Sequence, residues 1–312
     1  MILRPYGNGV VVDVDHTRIA VDTPAPVHGA KHIVTHAHMD HLGAARRVPA
    51  LGTIGTAYLA AIRGATICPV REFEHIVAGD VEIELVPAGH IPGSAQVCIH
   101  NGKTILITGD FKIEPDIIEM GADNPEADVL VLETTFASPD FVFPPRKELY
   151  RKLIAFVRSA LDAGEFVVLF AYDIGKAQEI TALLNTVGMI PIVTKQAHAA
   201  NMALGLQDVP IGSPGWREHL EEHAPLVLPL RFSRALRELR LSLGGSIRTL
   251  RVSGWNPKFP LSSHADFRQT LAFVERISPE LVVTYGDNAL TAALELKRRG
   301  FEAIPLTKPV FL

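Results

Sequence analysis

Hydrophobic and polar positions alternate through much of the first 140 residues. Short apolar runs such as GVVVDV, RIAVD, VEIELV and AQVCIH stand between turns that contain Gly, Pro or Asp, which is typical of strands. Helical spacing is limited here to about residues 41–48 and 56–63. The pattern predicts an α/β fold rich in sheet, with two sheets packed together and helices outside.

The pattern changes near FVFPPRKE, where Pro144 and Pro145 mark a boundary. Helices and strands then alternate, which predicts a small parallel sheet. The predicted elements are helices over 146–163, 175–187 and 232–243 and strands over 166–171, 190–194, 226–230 and 246–252. From about residue 256 we predict a polar loop, a helix over 266–277, a strand over 281–285, a helix over 288–299 and a last strand.

The composition is that of a folded protein. Of the 312 residues, 47% are hydrophobic and 21% charged, which excludes a disordered chain. Because no apolar run reaches the roughly 18 residues of a membrane span and the start does not resemble a secretory signal, we expect a cytoplasmic protein without a membrane segment. Cys68 and Cys98 are too few for a disulfide framework and are predicted to be core thiols.

The net charge of −4 does not favour nucleic acid, but residues 226–258 are strongly basic. On a helix through 232–243, the arginines fall roughly opposite a leucine face. This arginine face is either a solvated surface or a track for a phosphate backbone. The candidate substrate-binding arginines are Arg231, Arg234 and Arg237.

The stretch THAHMDH carries the clearest chemistry. His36, His38, Asp40 and His41 follow the predicted strand KHIVT and precede a helix expected to begin at Asp40 or His41. In a tight strand-to-helix loop, His36 and His38 can chelate one ion while Asp40 and His41 face a second. Neutral imidazoles with a carboxylate suit zinc, with manganese as the alternative.

Further ligands must come from elsewhere in the chain. His90 lies in the turn PAGHIPGSAQ, and Asp110 ends the apolar strand of ILITGDF. Either residue alone would more often be a capping or solvated loop residue. Together with THAHMDH they predict a centre with two divalent ions.

These motifs resemble the metallo-β-lactamase superfamily, whose fold is a four-layer αββα sandwich. The resemblance implies two ions and a shared carboxylate. The implied ligands are His36, His38 and His90 for the first ion, Asp40 and His41 for the second, and Asp110 between them. It also implies that Asp22, otherwise a plain turn residue before Pro24, orients the histidine loop.

Three further stretches, LETTF (132–136), LFAYDIGKAQEI (169–180) and FPLSSHADF (259–267), resemble the β-CASP nuclease branch of that superfamily. In that branch a small α/β cap is inserted in the hydrolase fold. With SGW at 253–255, the chain looks most like exonucleases and mRNA 3′-end processing factors, including ligase-associated DNA exonucleases. The implied domains are 1–145 (hydrolase, first part), 146–252 (cap) and 253–312 (hydrolase, last part).

The catalytic residues implied by the resemblance are Asp40, His264 and Glu133. Hydrolysis of a phosphodiester requires an activated water, positive charge at the phosphate oxygens and a proton for the departing oxygen. His264, held by Glu133, is a candidate general acid, and Ser263 beside it is a candidate substrate contact. The alternative for His264 is packing at a helix N-terminus.

One position departs from the pattern. RNA-cutting members of the branch carry a further histidine about twenty residues beyond His264, where this chain has Tyr285. A neutral phenol is a poor ligand, so we expect a second ion site that is weak, filled by water or completed by another side chain such as Asp287. DNA-processing members also lack that histidine, which favours DNA over RNA.

The leading hypothesis is a metal-dependent nuclease, most simply an exonuclease, acting on DNA or RNA. Three alternatives stay open: an RNA 3′-end processing nuclease, a small-ester or thioester hydrolase of the same fold, and a catalytically weakened scaffold subunit. A nucleic-acid substrate, repair or RNA-processing partner proteins and a homodimer are the expected partners.

Overall fold

The computed structural model describes residues 1–234 and 245–312, and these residues form two compact units. The first unit comprises Met1–Pro115, Glu119–Val142 and His264–Leu312. The second comprises Asp116–Ile118 and Phe143–Ser263. Residues 253–263 thus group with the inserted unit, and the domain bounds drawn from the sequence stay a prediction.

The first unit contains two seven-stranded sheets. In spatial order, the first sheet consists of β19 (Val310–Phe311), β1 (Ile2–Tyr6), β2 (Gly9–Val14), β3 (Thr17–Val21), β4 (Ala30–Ile33), β5 (Ala50–Thr53) and β6 (Ile67–Val70). The second sheet consists of β18 (Ala303–Pro305), β17 (Leu281–Tyr285), β11 (Val129–Glu133), β10 (Lys103–Ile107), β9 (Ala95–Asn101), β8 (Val81–Pro87) and β7 (Ile76–Ala78).

The two sheets share one core because alternate side chains of their strands point the same way. Val12 and Ile19 of the first sheet are buried together with Ile83, Val97 and Val131 of the second. Burying one such side chain contributes about 1.5–3 kcal/mol. The two packed sheets are therefore those that the alternating pattern predicts.

Three helices complete the first unit: α1 (Ile54–Ile62), which contacts β5 and β6, and α6 (Phe267–Ile277) and α7 (Ala289–Arg298). Phe273 of α6 and Leu296 of α7 are buried in a core with Leu106 and Leu130, on the face of the second sheet that points away from the first. Asp266 begins α6, since its side chain accepts a hydrogen bond from the Gln269 amide.

The second unit is built on a five-stranded sheet in which all pairs are parallel, as the alternation of elements predicts. In spatial order its strands are β14 (Val209–Pro210), β13 (Ile192–Val193), β15 (Leu226–Leu228), β12 (Phe166–Phe170) and β16 (Ile247–Arg251). Its helices are α2 (Arg146–Asp162), α3 (Lys176–Asn185), α4 (Lys195–Ala203), α5 (Trp216–Glu221) and a 3-10 helix (Leu230–Arg234). β12 is buried along its whole length, which is usual in parallel sheets.

The predicted helix over 41–48 is wrong, because this segment is a series of turns. The Ala44 amide donates to the carbonyl of Thr23 instead of that of Asp40, and Gly43 lies against the backbone of Pro24. These contacts prevent a helix from forming where one would begin. Of the predicted helix over 232–243, only the 3-10 turn through Arg234 lies within the described residues.

Of the helices in residues 1–234 and 245–312, none combines the length and apolar character that crossing a bilayer requires.

Candidate metal centre

Three imidazole rings and a carboxylate converge in the first unit, where loops leave β4, β8 and β10. His38 Nδ1 lies 3.1 Å from His36 Nε2 and 3.2 Å from His90 Nε2. Asp110 Oδ2 lies 3.4 Å from His36 Nε2 and 3.5 Å from His90 Nε2. The structure therefore brings together the four residues expected around a first ion and its bridge.

The donor set fits a divalent ion. Ligands at 2.0–2.1 Å in a tetrahedron lie about 3.3–3.4 Å apart, close to the spacing of these four atoms. Burial, then the nearby His41 and His90, hold the pKa of His36 well below its usual value, so its ring is neutral. The lone pairs of the ring nitrogens point towards one another and towards a carboxylate oxygen. A cation placed between them would bind all of these atoms.

A second set of donors also approaches Asp110. His41 Nε2 is 3.6 Å from Asp110 Oδ2 and 3.6 Å from Asp40 Oδ2. Burial opposes charge on His41, but the carboxylates of Asp110 and Asp22 outweigh it and raise the pKa of the ring to about 10. The group therefore attracts positive charge. The Asp40 side chain is 61% exposed, which leaves this set more open than the first.

Asp22 organises the histidine loop. Its Oδ1 accepts the Thr35 amide at 2.8 Å, and its Oδ2 accepts the Thr35 hydroxyl at 2.6 Å and lies 2.8 Å from His41 Nδ1. Because the hydroxyl proton is used on Asp22, Thr35 Oγ1 can accept from His36 Nδ1, 3.0 Å away. Both rings thus carry a proton on Nδ1 and present Nε2 to the centre.

Thr35 is a functional residue that the sequence analysis missed. Its signal is its place directly before the first histidine of THAHMDH, at the end of a buried strand. A β-branched residue there fits a strand pattern equally well, so the pattern does not single out its hydroxyl.

We expect Asp22→Ala to weaken binding of the divalent ion about 10–100-fold, because the His36 and His41 rings lose the group that fixes their proton and direction. Metal titration of the purified variant, followed by calorimetry, measures the effect. Asp22 has a left-handed backbone (φ 51°) that Asn also adopts, so Asp22→Asn separates loss of charge from backbone strain.

The matched control is Asp15→Asn, since Asp15 is an exposed aspartate with the same kind of backbone (φ 48°). It should leave metal affinity unchanged. Equal affinity in Asp22→Ala and the unaltered protein would contradict the orienting role.

Asp110 is preceded by Gly109, whose backbone conformation and close contacts favour glycine. Gly109 has φ 55°, and a Cβ there would come within 2.8 Å of the Thr35 side chain. Burial raises the pKa of Asp110 to about 6, although His41 and His264 favour its charged form. Because burial disfavours the charged carboxylate, a bound cation would stabilise it strongly.

His264 approaches Asp110 with Glu133 behind it. His264 Nε2 is 3.8 Å from Asp110 Oδ2, and His264 Nδ1 is 3.6 Å from Glu133 Oε1. Burial disfavours the imidazolium, but Asp110 and Glu133 outweigh it and raise the pKa of His264. The ring also meets Phe136 edge-on. The two carboxylates thus favour the charged form of an imidazole that lies beside the metal ligands.

Tyr285 lies at the end of β17 beside the same carboxylates. Burial, followed by Asp110, Asp22 and Glu133, raises the pKa of its phenol well above the usual value, so it stays neutral. Asp287, considered as a substitute ligand, is exposed and does not join the convergent groups found among the described residues.

The predicted substrate contacts lie in the second unit. Arg231 pairs with Asp173 at 2.7 Å while its side chain stays 59% exposed. Arg234 ends the 3-10 helix and its side chain is not described, and Arg237 lies outside the described residues. Ser263 is the last residue of the second unit and precedes His264 in the chain. Their roles stay predictions.

Comparison with curated proteins finds relatives, whereas no family model matches the chain. A probable DNA ligase of Opitutus terrae is 31% identical over 293 residues, which cover 86% of this chain and 28% of the relative. An RNase J-like protein of Methanocaldococcus jannaschii is 35% identical over 115 residues (36% and 27%). The human DNA cross-link repair 1A protein is 30% identical over 140 residues (44% and 13%). The chain spans less than a third of the length of these relatives.

A solved structure of a protein of unknown function from Enterococcus faecalis V583 aligns with a TM-score of 0.68 and 13% identity, over 100% of this chain and 99% of that one. At this identity the likeness concerns the fold alone. It supports a mixed α/β architecture over the full length.

Proposed function

The chain is a homologue of the metallo-β-lactamase/β-CASP nucleases, and from that premise we propose that it is a metal-dependent nuclease that hydrolyses phosphodiester bonds of nucleic acid. One observation carries the proposal. Two groups of side chains meet at the Asp110 carboxylate: the histidine ligands His36, His38 and His90, and the pair of His264 and Glu133. The ligands of a cation that could bind a phosphate, and a side chain that could donate a proton, are thus at one place.

The proposed ion ligands are those of the resemblance, with Asp110 shared. Two divalent ions, zinc by preference, would supply Lewis-acid charge at the phosphate and promote ionisation of a water molecule. Asp22 and Thr35 hold the His36 and His41 rings in the tautomer that binds a cation. The exposed Asp40 completes the more open of the two ligand sets.

His264 is proposed to give its Nε2 proton to the departing oxygen. Burial disfavours the charged ring, but Asp110, and then Glu133, which faces Nδ1, favour it and raise the pKa of His264. The Glu133 carboxylate is itself fixed, because its Oε1 accepts the Thr135 amide.

We propose the αββα hydrolase sandwich for the first unit and a β-CASP-like cap for the inserted residues, with domains 1–145, 146–252 and 253–312. A probable DNA ligase that matches 86% of this chain supports DNA as the substrate. Tyr285, which stands in place of a ligand histidine, also favours DNA. An exonuclease is the preferred mode. The cytoplasmic location, the homodimer and the partner proteins expected from the sequence stay predictions.

The test is cleavage of end-labelled single- and double-stranded DNA and RNA by protein stripped of metal and reloaded with zinc or manganese. We expect processive shortening of DNA from an end and a loss of at least about 100-fold in Asp40→Ala, since Asp40 is a ligand of the more open set. Metal content of each sample is measured alongside.

Two outcomes would overturn the proposal. Hydrolysis of lactones or thioesters without any phosphodiester cleavage would favour a small-ester hydrolase. Bound metal with no cleavage of any nucleic acid, but retention of labelled DNA, would favour a binding subunit.

A further inference from the structure

A second group of potential metal ligands lies on β8 and β9, outside the centre described above. Glu84, Cys98 and His100 share the face of the second sheet that points away from the first, since Val97 and Ile99 enter the core between the sheets. One ligand atom from each of the three residues lies within 4.8 Å of those of the other two.

Strand register explains why these side chains converge. Glu84 and Cys98 are directly opposite each other in the antiparallel pair, and His100 is two residues beyond Cys98 on the same strand. Two ligands from one strand and one from its neighbour form a triangle above the sheet. His100 Nε2 is 3.9 Å from Glu84 Oε2.

The His100 ring is oriented towards this triangle. Its Nδ1 lies 3.0 Å from the Thr104 hydroxyl, and its Nε2 is buried and makes no hydrogen bond to any residue in 1–234 or 245–312. A buried polar nitrogen without a hydrogen bond is energetically unfavourable. In the tautomer in which Nδ1 donates to this hydroxyl, Nε2 carries the lone pair that is available to an ion.

We propose that Glu84, Cys98 and His100 bind one divalent ion of the zinc type, which cross-links β8 to β9. Thiolate, imidazole and carboxylate are the donors that zinc accepts, and a sulfur ligand disfavours magnesium and manganese. Glu82, opposite His100 in the same register, adds negative charge beside the site. The His100 side chain is 32% exposed, so the site lies close to the protein surface, and a water molecule would be the fourth ligand.

Binding replaces the thiol proton. Burial, followed by the Glu84 carboxylate, raises the pKa of Cys98 to about 12, so the metal-free thiol is neutral and the proton is released to solvent when the ion binds. This cost restricts the site to ions with high affinity for sulfur.

Cobalt(II) provides a direct test. The candidate ligands of the metal centre include no cysteine, so a thiolate-to-cobalt charge-transfer band in the near ultraviolet reports on cobalt bound at a cysteine and not at that centre. We expect the band to account for one equivalent of cobalt beyond the cobalt bound by the metal centre, and to be absent in Cys98→Ala. Cys68→Ala is the matched control, because Cys68 is exposed and should leave the band intact. The prediction that Cys68 is a core thiol is therefore wrong, whereas Cys98 is buried as predicted.

The proposal is overturned if the unaltered protein gives no band, or if the band survives in Cys98→Ala or vanishes in Cys68→Ala. Should Cys98→Ala fail to fold, the less buried Glu84→Gln and His100→Gln replace it, with cobalt affinity expected to fall about 10-fold or more. Nuclease assays on the same samples are independent of this result, since none of these residues belongs to the metal centre.

Discussion

Asp110→Asn is expected to lower kcat/KM for nucleic-acid cleavage by at least about 1,000-fold, because the carboxylate shared by both ligand sets is replaced by a neutral amide. Asn has nearly the same shape, so packing around Gly109 is retained. End-labelled DNA under multiple turnover, with metal content measured on the same protein, gives the effect. The control is Asp287→Asn, an exposed change that should leave kcat/KM unaltered.

The same variant is expected to be more stable than the unaltered protein when both are metal-free at pH 7.5. The pKa of Asp110 is raised from 3.8 to about 6 by burial, so the folded state keeps a proton that the unfolded chain has lost. Stability therefore falls as pH rises from about 4 to 6, and the cost is complete above pH 6. The Asp110→Asn substitution removes this cost, because a neutral amide does not ionise.

Urea unfolding in EDTA compares the stability of the variant and the unaltered protein at pH 7.5 and at pH 4. The variant should unfold at higher urea at pH 7.5, and the difference should shrink at pH 4. A lower midpoint at pH 7.5 would mean that attraction between Asp110 and His41 exceeds the cost of burying the carboxylate.

His264→Gln is expected to slow cleavage of DNA about 100- to 10,000-fold, which is the usual contribution of a general acid. Cleavage of bis-p-nitrophenyl phosphate should change only a few fold, because a nitrophenolate departs without a proton. The ratio of the two losses is the measurement. Glu133→Gln should give a smaller loss of the same kind, since Glu133 acts through the ring.

The metal content of His264→Gln decides whether His264 is a metal ligand or the proton donor. Asp110, Glu133 and His264 offer ligand atoms close enough for an ion of their own. If His264→Gln loses metal, or if both substrates slow equally, the residue is a ligand or an electrostatic contact and not the proton donor.

The sequence was sufficient to predict strands at the longer apolar runs and, through the family resemblance, the residues that meet at the centre, but not short strands such as β5 and β6. The run VEIELV alternates with the period of a strand that is buried on one face, whereas AQVCIH is buried on both faces, and the structure has strands at both. The ligand residues stand at the ends of such runs, where a loop leaves the sheet. Their convergence depends on strand order, which a local pattern does not contain.

Other elements depend on distant contacts. Residues 41–48 have helical spacing, yet a hydrogen bond from Ala44 to the Thr23 carbonyl replaces the helical one. The helix α4 was missed because alanine, histidine and asparagine alternate there without a marked apolar stripe. The hydroxyl of Thr35 acquires its role only from Asp22, thirteen residues away.

The histidine loop leaves the first sheet, whereas His90 and Asp110 leave the second. An ion bound by both sets would therefore join the two layers at one edge of the sandwich, where the core between them ends. Under a pulling force, the layers could not shear apart before coordination bonds broke. Loaded protein should thus resist mechanical unfolding more than stripped protein does, even if the two differ little in the packing of their apolar core.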